Sequence, residues 1–325
     1  MLVNKLNNRW KKVERHKGIY LPTLNKTPII SKSSKVCLMG SCFADEMGWV
    51  LAENNVNIGE VDYTPNMRMV SYPWGTFFSP QSIAEMIEIS FNGKINEFFD
   101  EKTFIKVPSN FEGNHYEKIN QVSNDENYKL INLFFKARLE TKDYNFAKQI
   151  IKKKLDFFKT SILNADVIII TLGLIETWID KIKKKAWHSF HGDALKRTSV
   201  ENLAEFRQLN YEDVTKYISK IINLIHEKEK KIIFTVSPIP LNFTFSNKDV
   251  VVANKYSKSV LRAAVESFID DKNFFYFPSF EIVQDCVGWP NSYKEDKRHV
   301  KVEIFKDYIA PTFINTFTDF KNFNL

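Results

Sequence analysis

The 325-residue chain has few cysteines, only Cys37, Cys42 and Cys286. An odd number without metal-ligand spacing points to neither a disulfide framework nor a zinc site. No apolar run approaches the ~20 residues that a membrane-spanning helix needs. Met1 to Lys17 is polar and basic and lacks the apolar segment of a secretory leader. The lysine runs, such as Lys152-Lys153-Lys154 and Lys183-Lys184-Lys185, are not interleaved with aromatics on a nucleic-acid module and read as solvated surface. There is no internal repeat, low-complexity tract or linker. These absences predict a cytoplasmic, soluble protein with no metal, cofactor, nucleic-acid partner or membrane span, and they leave its oligomeric state open.

Hydrophobic residues make up 44% of the chain, ordinary for a globular protein. Phe is abundant at 28, which reads as genome composition rather than as a binding signature. The net charge of +7 favours the approach of an anionic substrate or an acidic glycan. In chain order, residues 1–34 read as an irregular lead-in broken by Pro22 and Pro28. Strands are expected at Lys35–Met39, Asp166–Leu172, Lys231–Ser237 and Phe274–Phe277, with a further extended piece at Ile58–Tyr63. Helices are expected at Cys42–Asn54, Pro80–Ser90, Asn127–Leu163, Tyr211–Lys228, Asp249–Asp270 and Val300–Thr316. Residues 91–121 read as an insertion over one end of the sheet, and Asp180–Leu209 as a less regular stretch. Strands alternating with long crossovers imply an α/β domain, with a mostly parallel sheet covered on both faces. Its ligand crevice belongs at the carboxyl ends of the strands.

Lys35 to Glu46 is the most informative stretch. An apolar strand reaches Gly40, and a helical pattern starts at Phe43, leaving Ser41 on the turn at a helix N-terminus. Alone, Ser41 reads as a plain N-cap. Near the other end of the chain stands Asp296-Lys297-Arg298-His299. An Asp three residues ahead of a His can turn back and hold the imidazole N–H, leaving the other ring nitrogen free to take a proton. A strand-turn Ser and a D-x-x-H loop on one parallel sheet point to nucleophilic acyl chemistry. Gly75, in the loop before the Ser79-Pro80 helix start, suits a backbone donor.

Gly40-Ser41-Cys42-Phe43-Ala44 is the signature from which the GSCFA family takes its name, and the chain resembles that family. Further resemblances are Trp74-Gly75-Thr76-Phe77-Phe78-Ser79-Pro80, Ile170-Thr171-Leu172-Gly173, Thr235-Val236-Ser237-Pro238, Ser257-Lys258-Ser259-Val260-Leu261-Arg262, Pro278-Ser279-Phe280-Glu281-Ile282, and Glu295-Asp296 with His299. The family looks like a branch of the SGNH (GDSL-like) hydrolases. The resemblance implies one domain from residue 35 to 325, an SGNH-hydrolase-like three-layer α/β/α sandwich with an inserted cap-like segment. It implies Ser41 as nucleophile, His299 as general base and Asp296 as its partner. The oxyanion hole would involve backbone N–H groups of Ser41 and Gly75, together with Gly173. SGNH enzymes usually add an Asn side chain after the third strand, but here the loop reads Gly173-Leu174-Ile175-Glu176. Glu176 is therefore open to other roles: orienting His299, binding a sugar hydroxyl, or acting as a helix-start or salt-bridged carboxylate.

Cys42 is a rival nucleophile at the same helix start. Cys37 and Cys286 read as bystanders. His188, His191 and Asp193 form a tempting cluster without a third spaced ligand, so substrate contact, with His191 foremost, or a plain surface position is preferred over a metal. His115 belongs to the insertion. Trp74 and Trp178 are placed near the crevice and suit stacking on sugar rings, though core filling explains them as well. The expected activity is cleavage of acyl esters, most plausibly acetyl groups on a carbohydrate. An O-acyltransferase using a donor such as acetyl-CoA, and a non-catalytic glycan-binding module, are the alternatives.

Overall fold

The computed structural model describes residues 15–59, 62–64, 69–71, 75–98, 104–108, 128–132, 138–139, 143–187, 201–226 and 229–320. Its centre is a four-stranded parallel sheet. In chain order the elements that matter here are strand β1 (Val36–Gly40), helix α1 (Cys42–Glu53), helix α2 (Pro80–Asn92), helix α3 (Tyr144–Asn164), strands β2 (Val167–Leu172), β3 (Glu176–Asp180) and β4 (Ala204–Gln208), helix α4 (Tyr211–His226), strand β5 (Lys231–Val236), helix α5 (Val250–Glu266), strand β6 (Phe274–Tyr276) and helix α6 (Ala310–Phe317). The sheet order is β6-β5-β2-β1, all parallel, with Met39 opposite Ile170 and Phe234 opposite Ile170 on the other side. Every residue of β1 and β2 is buried, which is why their sequences run apolar without alternation.

Helices flank the sheet as in a three-layer α/β/α fold. Along α4, Val214, Ile218, Ile221, Ile222 and Ile225 form one buried stripe at helical spacing. Helix α2 packs against α3 and α4, and α4 against α5, while α1 packs with α6. The lead-in drapes over α6: Thr27, Ile29 and Ile30 donate backbone N–H groups to carbonyls of Thr316 and Phe317. Among the described residues no helix is long and apolar enough to cross a membrane.

Two stretches fold differently from their sequence reading. The expected helix over Asn127–Leu163 begins only at Tyr144, with Asp143 as its N-cap. The segments Tyr128–Asn132 and Arg138–Leu139 are strands, and Tyr128–Asn132 pairs with Phe104–Pro108. The expected irregular stretch after Asp180 contains β4, which pairs antiparallel with β3, so Glu176 opens a strand rather than a helix. Both differences arise from pairing between distant segments, which local periodicity does not encode.

Candidate active site

Ser41 sits on the turn between β1 and α1. Its φ of −74° and ψ of 171° are those of an N-cap, and its Oγ accepts a hydrogen bond from the Phe43 amide at 3.3 Å. The side chain is buried, 2% exposed. Gly40 has φ +125°, and a Cβ there would stand 2.1 Å from the carbonyl oxygen of Thr171, so the turn admits only glycine. This close approach lets the Ser41 amide donate to that same carbonyl at 3.1 Å. Around the turn the loops are strapped together. Phe77 N–H donates to Gly40 O at 2.7 Å, and the amides of Gly173 and Leu174 donate to Phe78 O at 2.9 and 3.0 Å.

Helix α5 fixes the same loops from below. Ser257 Oγ accepts from the Ile175 amide at 3.1 Å, and Lys258 Nζ donates to Gly173 O at 2.6 Å and Ile239 O at 2.9 Å. Lys258 is 1% exposed. Burial pulls its ammonium down to about 7, with Cys42 opposing the shift and Arg298 reinforcing it. The Ser257-Lys258 motif therefore builds the floor of the site.

His299 arrives on the last loop. Tyr293 and Val300 form an isolated bridge that closes this loop, and Lys301 N–H donates to Ser292 O at 2.9 Å. Tyr293 OH donates to Pro238 O at 2.9 Å and accepts from Gln284 Nε2, which ties the loop to the end of β5. Lys294 pairs with Glu46 on α1 at 3.6 Å. Burial pushes the Glu46 carboxyl up, while Lys294 and His299 pull it down. The D-x-x-H turn forms as its spacing predicts. Asp296 Oδ2 bonds His299 Nδ1, and Oδ1 accepts the amides of Arg298 and His299 at 2.9 Å each.

These elements enclose a cavity of about 390 Å³ at the carboxyl ends of β1, β2 and β5. Ser41, Cys42 and His299 all line it, and Asp296 holds His299 from outside the lining. No hydrogen bond joins Ser41 to His299. Catalytic hydrogen bonds commonly tighten only when substrate binds. Of the other expected residues, Gly173, Glu176 and Trp178 line the cavity. The Ser41 and Gly173 amides donate to Thr171 and Phe78 carbonyls, and Gly75, exposed with φ +78°, is outside the lining, which on that loop starts at Thr76. Glu176 does not orient His299: its Oε1 accepts from Thr244 Oγ1 and its Oε2 from the Phe245 amide at 3.2 Å, anchoring the loop after β5. Trp74, His115, His188, His191 and Asp193 lie outside the described residues. Cys37 is fully buried, its thiol pushed up to about 12 by desolvation, and Cys286 is pushed up to about 11 by desolvation, Asp285 and Glu281. Neither lines the cavity.

Several lining residues escaped sequence reading. Asn242, Phe243 and Phe245 come from the loop after β5, and Trp187 from beyond β3. Trp178 stacks edge-on against Phe245 at 5.1 Å, so one wall is aromatic. Arg298 also lines the cavity. Its only sequence signal was adjacency to His299 inside a charged run. Among the described residues no group of three or more His, Cys, Asp or Glu is placed to hold a metal ion.

Searches among curated proteins and among solved structures returned no significant match. The family model of the GSCFA family, in contrast, matches residues 35–313, which include all of β1 to β6 and the loop bearing His299. The chain belongs to the GSCFA family.

Proposed function

We propose that this protein is a serine-dependent acyl-ester enzyme of the SGNH hydrolase type, acting on O-acyl groups of a carbohydrate. The observation that carries the reading is that Ser41, on the first strand's turn, and His299, held by Asp296 near the chain's other end, line one cavity. Ser41 Oγ attacks the ester carbonyl while His299 Nε2 takes its proton. The tetrahedral intermediate collapses, and His299 returns that proton to the departing sugar oxygen. Water, deprotonated by His299, then releases the acid from the acyl-enzyme. The developing oxyanion faces the positive end of α1. Asn242, an exposed residue of the lining for which no hydrogen bond is found among the described residues, is our candidate for the side-chain donor that the loop from Gly173 to Glu176 lacks. The aromatic wall, half-buried Phe245 backed by the core residues Trp178 and Trp187, suits the apolar face of a sugar ring.

The test is hydrolysis of p-nitrophenyl acetate by the purified chain and by Ser41→Ala. Turnover that falls at least about 10³-fold in the variant, with its fold intact, supports the reading. Equal rates in both proteins overturn it. Slow hydrolysis with acyl transfer to an added sugar would assign the acyl-enzyme to an O-acyltransferase instead.

A further inference from the structure

Arg298 lines the cavity beside His299, yet no carboxylate pairs with its guanidinium among the described residues. Its Nε is sealed from solvent and has no acceptor. Arg298 as a whole is half-buried, but a sealed donor without an acceptor is costly, and protein interiors normally satisfy one. Lys258 lies fully buried under the cavity floor, and Arg298 acts on it repulsively. The single carboxylate in the lining, Glu176, gives both oxygens to Thr244 and Phe245 on the loop after β5. Arg298 thus brings to the cavity a guanidinium that no carboxylate pairs among the described residues, while Asp296 accepts only its backbone N–H.

We propose that Arg298 is a specificity residue that binds an anionic group, a carboxylate or a phosphate, carried by the substrate whose ester Ser41 attacks. This rests on the reading of the cavity as an ester-cleaving site. The planar guanidinium fork matches either anion with paired hydrogen bonds. The Lys258 ammonium, held to Gly173 and Ile239 carbonyls, contributes field without touching the ligand. The substrate class is then an acylated acidic saccharide or sugar phosphate rather than a neutral one.

The test uses three esters differing only in the para substituent: phenyl acetate, 4-acetoxybenzoate and 4-acetoxyphenyl phosphate. In the wild-type chain at least one anionic ester should exceed phenyl acetate in kcat/KM by about tenfold or more, the scale of a charge-assisted hydrogen bond. In Arg298→Gln that ratio should fall towards one, and Arg298→Lys should keep part of it. The preferred anion tells a carboxylate-bearing substrate from a phosphate-bearing one. Equal kcat/KM for all three esters in the wild type overturns the proposal, as does a preference that survives in Arg298→Gln. Should Arg298→Gln not fold, the wild-type comparison and Arg298→Lys decide. Calorimetric titration of the same esters into Ser41→Ala separates the two readings. Anion-selective binding there, without turnover by the wild type, would keep the Arg298 site and remove the esterase. Ser41-dependent turnover without anion selectivity would do the reverse.

Discussion

Asp296 grips His299 at two points, one carboxylate oxygen on the ring Nδ1 and the other on the backbone N–H. Desolvation works against the charged carboxylate, but the His299 ring and the amides of Arg298 and His299 outweigh it and hold Asp296 down at about 2. Asp296 therefore stays ionised throughout the neutral range, and any acidic limb of the activity profile belongs to another group. The stability it contributes is present above the ordinary aspartate value and is lost only as pH falls through about 2.

The same grip predicts the effect of Asp296→Asn. The amide oxygen can still accept the two backbone N–H groups, which turns the NH₂ towards Nδ1. The ring must then carry its proton on Nε2, where it cannot act as base. We expect kcat for p-nitrophenyl acetate to fall by about 10³- to 10⁴-fold with little change in Tm, measured by steady-state kinetics and thermal melting.

Asn242→Ala tests the oxyanion assignment. Loss of one oxyanion donor should cost about 10²- to 10³-fold in kcat while KM changes little. An unchanged kcat would return the role to a backbone amide, released from its carbonyl during the reaction.

Gly40→Ala should be among the most damaging single changes. The added Cβ would meet the Thr171 backbone, which belongs to the neighbouring buried strand and has nowhere to move. We expect a loss of about 3 kcal/mol or more, read as a lowered denaturation midpoint or failure to accumulate folded protein.

Asp45, in the first turn of α1, is pushed up to about 7 by desolvation, with the neighbouring Glu46 adding to it. The folded chain thus holds a proton that the unfolded chain releases near the ordinary aspartate value. Stability is full below that value and declines as pH rises towards 7. Asp45→Asn removes the decline. It should stabilise the protein by about 2 kcal/mol at pH 8, allowing for the partial exposure of the group, and by almost nothing at pH 4. Urea melts at the two pH values check this.

How much of this was legible beforehand depended on range. The parallel strands were readable because Val167 to Leu172 and Ile232 to Val236 must be apolar on both faces. The Asp296–His299 contact was readable because it closes over three residues. The β3–β4 hairpin was not, since Glu176 meets Gln208 across a long excursion that leaves no local mark. The carbonyl acceptors that occupy the Ser41 and Gly173 amides were equally hidden, because a backbone donor's partner is a tertiary fact. Arg298 was hidden for a different reason. A guanidinium in the run from Lys294 to His299 looks solvated until the fold turns it towards a cavity. Likewise Ser257 and Lys258 carried a family motif, but only the structure ties them to Ile175, Gly173 and Ile239.

The serine's turn follows the first strand of the central sheet, and the imidazole comes on the last loop before the closing helices. A ribosome therefore exports the proposed nucleophile long before its proposed base. A chain that stops at, or is clipped behind, Val287 would retain the hydroxyl without the imidazole proposed to activate it. Under the proposed chemistry, reactivity waits for the loop that carries the imidazole, and ester turnover would report whether the two segments are joined.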